Sequence, residues 1–398
     1  MKALAKSLMC VAMAACSAVA FTGCDNDSES SATTAPQTTN STGASTQGLT
    51  AAPATADEVP TNPAYNFTKL KQDTDSITAK FDNTLVASKF RGTVYYKLGN
   101  DFEYIGNNGY ADKGSHTYNS LNTNYYIGSL TKQFTAAAVM ILQEQDKLST
   151  DDTLDKYYPD YKYGSDITIR NLLTMTTGLP DYLGKSDESV RANAPQYDIS
   201  ENNSAKDNHS VILKWILSQE IDNDEENYCY SNSDYFILGD IIEKVSGKSY
   251  EEFLKENIFE PLEMTSTTFE STNQLATGYQ DIFDDEWNIY PGVAYSSTGL
   301  ISNLSDLLKW TDAITGSELL SAKSKEEMFT PYKSSFAYGL YVDDCGNYYC
   351  DAAFYRFNAR IVFAQDQSKV FIAFSNYTQS NPKAVNKNLD EILKPYLK

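Results

Sequence analysis

Histidine is nearly missing from this sequence: His116 and His209 are the only two in 398 residues, both in polar, loop-like contexts. Their scarcity excludes a histidine-based zinc site and leaves a Ser-His-Asp triad hard to build. A serine hydrolase made from this chain would need Lys or Tyr as its base. Basic residues are few as well, 32 Lys and Arg against 53 Asp and Glu, for a formal charge of −21. A nucleic-acid partner is therefore not expected, and no cofactor is expected either. Of six cysteines, Cys10, Cys16 and Cys24 lie in the N-terminal segment, leaving Cys229, Cys345 and Cys350. Cys345 and Cys350 bracket Gly346-Asn347 and could bridge a hairpin in an oxidising compartment.

From Asp25 to Pro60 there is no aromatic residue and no Lys or Arg, a composition that cannot bury a core. Ahead of it, Lys2 and Lys6 precede an apolar run from Leu8 to Phe21 and then Thr22-Gly23-Cys24. That is the layout of a secretory signal, too short to span a bilayer comfortably. A cysteine at the cut site resembles a bacterial lipoprotein signal, with Cys24 as the lipidated N-terminus and Phe21 where Leu is usual. The expected organisation is a signal peptide over 1–23, a Ser/Thr-rich tether over 24–64 reaching roughly 30 Å as a coil, and one folded domain over 65–398. The protein is expected to be exported and held at the membrane by its lipid.

The folded part is organised around Tyr126-Ile127-Gly128-Ser129-Leu130-Thr131-Lys132-Gln133-Phe134. From Thr131 to Leu148 strong helix formers place Phe134, Ala137, Ala138, Ile141 and Leu142 on one face, which predicts a buried amphipathic helix. Ser129 then falls at or near the N-cap, where a hydroxyl can serve a purely structural role. Lys132, three residues on, stacks over that hydroxyl, and a lysine made neutral by burial can take its proton. The helix's first turn offers N–H groups to a developing oxyanion. A second Ser-x-x-Lys, Ser380 to Lys383, is interrupted by Pro382 and reads as loop.

Strand patterns at Gly92–Tyr96 and Phe102–Ile105 flank a Gly99-Asn100-Asp101 turn and predict an antiparallel hairpin. Helical signals follow at 169–175, 210–219, 235–246 and 250–258, then strands at 337–342, 348–352, 360–364 and 370–375 and a last helix over 384–397. The fold class is therefore α/β of the α+β type: an antiparallel sheet of distant segments, flanked by N- and C-terminal helices, with an inserted helical lobe and a cleft between. Tyr228-Cys229-Tyr230-Ser231-Asn232 precedes one helix, and Tyr230 is the only one of 29 tyrosines with Asn two residues later. A tyrosine near a lysine gives up its proton more easily than in water, and the amide can bind a substrate carbonyl. The alternative is a loop tyrosine packed on the helical lobe.

Together, Tyr126 to Lys132, Ile167 to Thr174 leading to Thr177-Gly178-Leu179-Pro180, Tyr230-Ser231-Asn232 and Ile258 to Leu262 resemble the serine β-lactamase and penicillin-binding protein superfamily, in its class C β-lactamase, DD-peptidase and esterase branch. The likeness runs from about Gly92 to Asn376. It implies Ser129 as acylated nucleophile, Lys132 and Tyr230 as proton-transfer partners, the Ser129 N–H in the oxyanion hole and Asn232 in substrate binding. The branch usually also carries Lys-Thr-Gly or His-x-Gly on a strand facing the serine. Here that position falls on Cys350-Asp351-Ala352, with Ala353 offering the second oxyanion N–H, so both cation and glycine are missing. Met175 stands where the branch commonly has histidine, in a supporting position. The substrate implied is a small molecule or peptide, peptidoglycan-derived peptides among them, with esters, amides or peptides favoured over β-lactams. A second reading keeps the fold as a non-catalytic cell-envelope binding module, which a Cys345–Cys350 disulfide would favour.

Overall fold

The computed structural model describes residues 66–184, 202–221, 228–270, 272, 274–280 and 292–397. The signal segment, Cys24 and the tether lie outside the described residues.

The chain enters through helices α1 (Phe67–Gln72) and α2 (Thr74–Ala87), separated by a break at Asp73; the sequence from Asn66 to Leu85, with Leu70, Ile77 and Phe81 on one face, reads as one helix. Strands β1 (Gly92–Leu98) and β2 (Phe102–Asn108) form the expected hairpin. Short strands β3 (Tyr110–Asp112), β4 (Thr117–Tyr118) and β5 (Tyr125–Tyr126) lead to a 3₁₀ turn, Gly128–Leu130, and then to α3 (Thr131–Glu144). The helical lobe comprises α4 (Ile169–Leu173), α5 (Ala205–Ser218), α6 (Asn232–Ser246) and α7 (Tyr250–Leu254). After α8 (Tyr295–Thr298), β6 (Ile301–Ser302), α9 (Leu304–Thr315) and α10 (Ala322–Phe329), strands β7 (Tyr341–Val342), β8 (Tyr348–Phe354), β9 (Phe357–Phe363) and β10 (Lys369–Ser375) return, and α11 (Pro382–Leu393) follows.

Six strands form one antiparallel sheet in the order β2-β1-β10-β9-β8-β7, so β1 pairs with a strand far along the chain, Thr93 opposite Phe374 and Leu98 opposite Lys369. Alternation along β1 divides the sheet's two faces. Val94, Tyr96 and Leu98 join Phe81, Phe371 and Leu389 in a core under α1, α2 and α11, while Tyr95, Ile361, Ile372 and Phe374 join the larger core of the helical lobe. The result is helix layer, sheet, helix layer, as the sequence pattern implied.

Several expectations change in detail. Helix α3 is buried as expected but ends at Glu144, short of Leu148, and its burial is not confined to one face: every residue from Thr131 to Leu142 is buried, because the lobe wraps the helix on all sides. Phe134 stacks on Trp310 with centroids 4.0 Å apart, and the polar side chains on the helix are bonded inward, Trp310 Nε1 to Gln133 Oε1 at 3.1 Å and Thr135 Oγ1 to the Ser296 carbonyl at 2.7 Å. Only residues 341 and 342 of the 337–342 stretch are strand, since Gly339 takes φ +79°. Pro382 begins α11 at its first turn, where a missing N–H is harmless. Lys383 there pairs with Asp351 at 3.9 Å and Ser380 Oγ accepts from the Arg91 N–H at 3.1 Å, so this second Ser-x-x-Lys is structural. His209 is not in a loop but on α5, its ring 4.9 Å from Phe236 and 4.2 Å from Tyr295. Cys345 is exposed at a turn while Cys350 is buried on the inner face of the sheet, so the bridge that their spacing allowed does not form.

Because Phe134 is fully buried and ring-stacked, Phe134→Ala should destabilise the domain by about 3–5 kcal/mol. Urea unfolding followed by tryptophan fluorescence measures it, and a loss below about 1 kcal/mol would contradict the packing described.

Candidate active site

Gly128, at φ +52°, lets the chain turn sharply before Ser129, and a Cβ there would stand 3.0 Å from the Phe354 Cβ and 3.3 Å from the Ala352 Cβ. A side chain would push strand and serine apart. The strain-free turn brings Ser129 beside β8, as the motif register expected. Ser129 lies within the 3₁₀ turn and does not cap α3, whose N-cap position is Leu130 with no side-chain hydrogen bond. Its hydroxyl is instead 2.7 Å from Tyr230 OH and 3.4 Å from Lys132 Nζ. The structural alternative for Ser129, a helix cap, is thus absent; Tyr230 does pack against the core of the helical lobe from a loop, and in addition its hydroxyl meets the serine.

Lys132 is 1% exposed. Its ammonium donates to Asn232 Oδ1 at 2.7 Å and to the Ser297 carbonyl at 3.0 Å, and lies 4.9 Å from the centroid of the Tyr230 ring. Burial lowers its pKa to about 8, against an upward pull from Cys350, Asp181 and Asp234. A useful fraction is therefore neutral near neutral pH, as a base requires. Tyr230 behaves oppositely to expectation. Burial raises its pKa well above the ordinary phenol, only partly offset by the Ser129 hydrogen bond, so at rest it is a phenol and the lysine is the group able to lose its charge.

Two sequence motifs meet to hold these groups. The Thr177-Gly178-Leu179-Pro180 loop is stitched to the first turn of α6: Thr177 Oγ1 donates to Asp234 Oδ1 at 2.6 Å and Ser233 Oγ to the Pro180 carbonyl at 2.6 Å. Met175, buried in a left-handed conformation, accepts the Cys229 N–H on its carbonyl at 3.0 Å, supporting the Tyr230 segment as expected of that position. Helix α6 begins at Asn232, three residues before the periodic pattern starts. Opposite, Gly339 presses on the backbone of Lys132, where a Cβ would come within 2.8 Å of the Lys132 carbonyl carbon.

Strand β8 closes the site. The two-residue turn at Tyr355-Arg356 makes Phe354 and Phe357 a hydrogen-bonded pair, so the N–H groups of Asp351 and Ala353 point to the edge away from β9. Cys350 and Ala352 face inward; burial pushes the Cys350 thiol up to about 12, and it lies within electrostatic reach of Lys132 and Tyr230. Asp351 points outward and pairs with Arg360 and Lys383, so its charge does not enter the cleft. The expected site residues Ser129, Lys132, Tyr230 and Asn232 are thus brought into one cluster, with Cys350, Ala352 and Ala353 along its edge. Sequence reasoning missed Asp181, Asp234 and Ser297. The Asp directly after Gly178-Leu179-Pro180 and the Asp two residues past Asn232 were the available signals; a main-chain carbonyl such as that of Ser297 leaves none.

The Beta-lactamase family model matches residues 85–393. The Bacillus subtilis protein PbpX, named as a penicillin-binding protein, is 30% identical over 79% of this chain and 78% of its own length. Penicillin-binding protein 4* of the same organism is 31% identical over 62% of this chain, which spans just over half, 56%, of that protein. Among solved structures, FmtA from Staphylococcus aureus superposes with a TM-score of 0.68 at 23% identity, covering 84% of this chain and 92% of that one. D-amino acid amidase from Ochrobactrum anthropi does so with 0.66 at 22% identity, over 80% and 97%. The chain belongs to the Beta-lactamase family, and with it to the serine hydrolases of the β-lactamase and penicillin-binding protein superfamily.

Proposed function

We propose that the protein hydrolyses an ester, amide or peptide bond through an acyl-enzyme on Ser129, at the outer face of a membrane to which lipid on Cys24 tethers it. The observation that carries this is the shared hydrogen bond between Ser129 and Tyr230 beside a buried lysine of lowered pKa. Neutral Lys132 takes the Ser129 proton directly or with Tyr230 as carrier, while the serine oxygen adds to the substrate carbonyl. The Ser129 and Ala353 N–H groups receive the oxyanion. Collapse of the tetrahedral species returns the proton to the leaving group and leaves an ester on Ser129, which water hydrolyses with the proton moving back the same way.

The inward residues of β8, a thiol and a methyl, give a substrate carboxylate no cation to bind. The missing charge-assisted hydrogen bond weakens such substrates by roughly 1.5–3 kcal/mol. Neutral acyl groups lose nothing. The names of the relatives, penicillin-binding proteins and a D-amino acid amidase, support acyl transfer from amide-like carbonyls, and a tether at the cell surface supports a peptidoglycan-derived peptide as one natural substrate.

Intact-mass analysis after treatment with a fluorophosphonate should find one adduct on Ser129, absent in Ser129→Ala, with little or none from a penicillin. Equal labelling by both would show that the lost cation matters less than argued, and labelling by neither would favour the binding-module reading. Since the base must be neutral, the fluorophosphonate rate should rise about tenfold per pH unit below the Lys132 pKa and level off above about 8. A rate that falls over that range would remove Lys132 as the base. Cys24→Ser should move the protein from the membrane to the soluble fraction, and an unchanged distribution would refute the lipid anchor.

A further inference from the structure

The mechanism above gives Asp181 no part, although its carboxylate lies one residue's reach from the reacting groups. Oδ1 accepts the backbone N–H of Asn232 at 3.2 Å and that of Leu183 at 3.1 Å, and Oδ2 accepts from Asn232 Nδ2 at 3.0 Å. Asn232 has an oxygen and a nitrogen of nearly equal size, and either could face the lysine if nothing held the amide. A carboxylate only accepts, so it forces Nδ2 toward itself and Oδ1 toward the Lys132 ammonium, 2.7 Å away. Reversed, the amide would aim N–H groups at a cation.

We propose that Asp181 is a positioning residue for acylation, locking the Asn232 amide in the orientation that aims Lys132 at Ser129. The inference rests on the hydrolase reading of the same site. Its grip is two-point, on backbone and side chain of the first residue of α6, so it also sets where that helix begins against the Gly178-Leu179-Pro180 loop. The charge contributes separately. Burial raises the Asp181 pKa to about 6, opposed by the Leu183 and Asn232 hydrogen bonds and by Lys132, so the carboxylate is ionised at neutral pH. The groups bearing electrostatically on Lys132 are Asp181, Asp234 on α6 and Cys350 on β8, with the Tyr230 and Tyr235 rings beside it. Asp234 is driven toward its neutral acid by full burial, and the Cys350 thiol stays protonated. Asp181 is thus the negative charge that holds the lysine's pKa up.

The test is the fluorophosphonate labelling rate of Ser129 between pH 5 and 10 in wild type, Asp181→Asn, Asn232→Ala and the double variant. An asparagine at 181 can donate to Asn232 Oδ1 and stabilise the reversed amide. Asp181→Asn should lower the plateau rate on the order of tenfold, move the limb below pH 8, and cost nothing further on the plateau in the Asn232→Ala background. Plateau losses that simply multiply, or a wild-type plateau and midpoint, would overturn the proposal. If wild type is not labelled at all, the hydrolase reading fails by itself. Positioning is then read from the Lys132 ¹³Cε titration: a lower midpoint in Asp181→Asn supports it and an unchanged one overturns it. Circular dichroism checks the fold, and Asp181→Ser replaces Asp181→Asn in both assays should the latter not fold.

Discussion

An ammonium group held out of water is the constraint on which this structure turns. Removing a charge from water costs several kcal/mol, and Lys132 is 1% exposed. The cost is offset by placing around it an amide oxygen, a main-chain carbonyl and two aromatic faces, and by letting its pKa fall. These partners come from α6, the Tyr230 segment just before it and α8, so α3, which carries the lysine, has to be enclosed rather than laid on a surface. Its all-round burial follows from that need and leaves the polar residues Gln133 and Thr135 to be bonded inside the lobe.

The same constraint explains where the backbone gives way. Gly128 and Gly339 take left-handed conformations because β8 and the segment before β7 approach the serine turn and the Lys132 backbone closer than any side chain would permit. The Tyr230 segment is held from below by Met175 and from the side by the Thr177–Pro180 loop. Serine and lysine thereby sit on the 3₁₀ turn and α3, and the tyrosine on a segment tied to its neighbours by hydrogen bonds, which gives the preorganisation that the proposed acyl transfer needs. At β8 the charge has been rearranged: Asp351 is neutralised on the outer face, and the inward positions carry an uncharged thiol and a methyl group.

What the sequence determined by itself was local and periodic. Three-residue spacing stacks Lys132 on Ser129, alternation marks the β1–β2 hairpin, and the Tyr230-Ser231-Asn232 tract stands out among 29 tyrosines; each signal lies within a few residues and follows from the geometry of one helix turn or one strand. Tertiary structure alone decided the rest. Whether Tyr230 or Lys132 loses its proton depends on burial, and the residues that bury them lie a hundred or more positions away. The roles of Asp181 and the Ser297 carbonyl, the inward turn of Cys350 and the outward turn of Asp351 arise from contacts between elements distant in the chain, where no spacing rule operates. A disulfide between Cys345 and Cys350 was compatible with their separation in sequence, but the strand carries one thiol into the core and leaves the other at a solvent-facing turn.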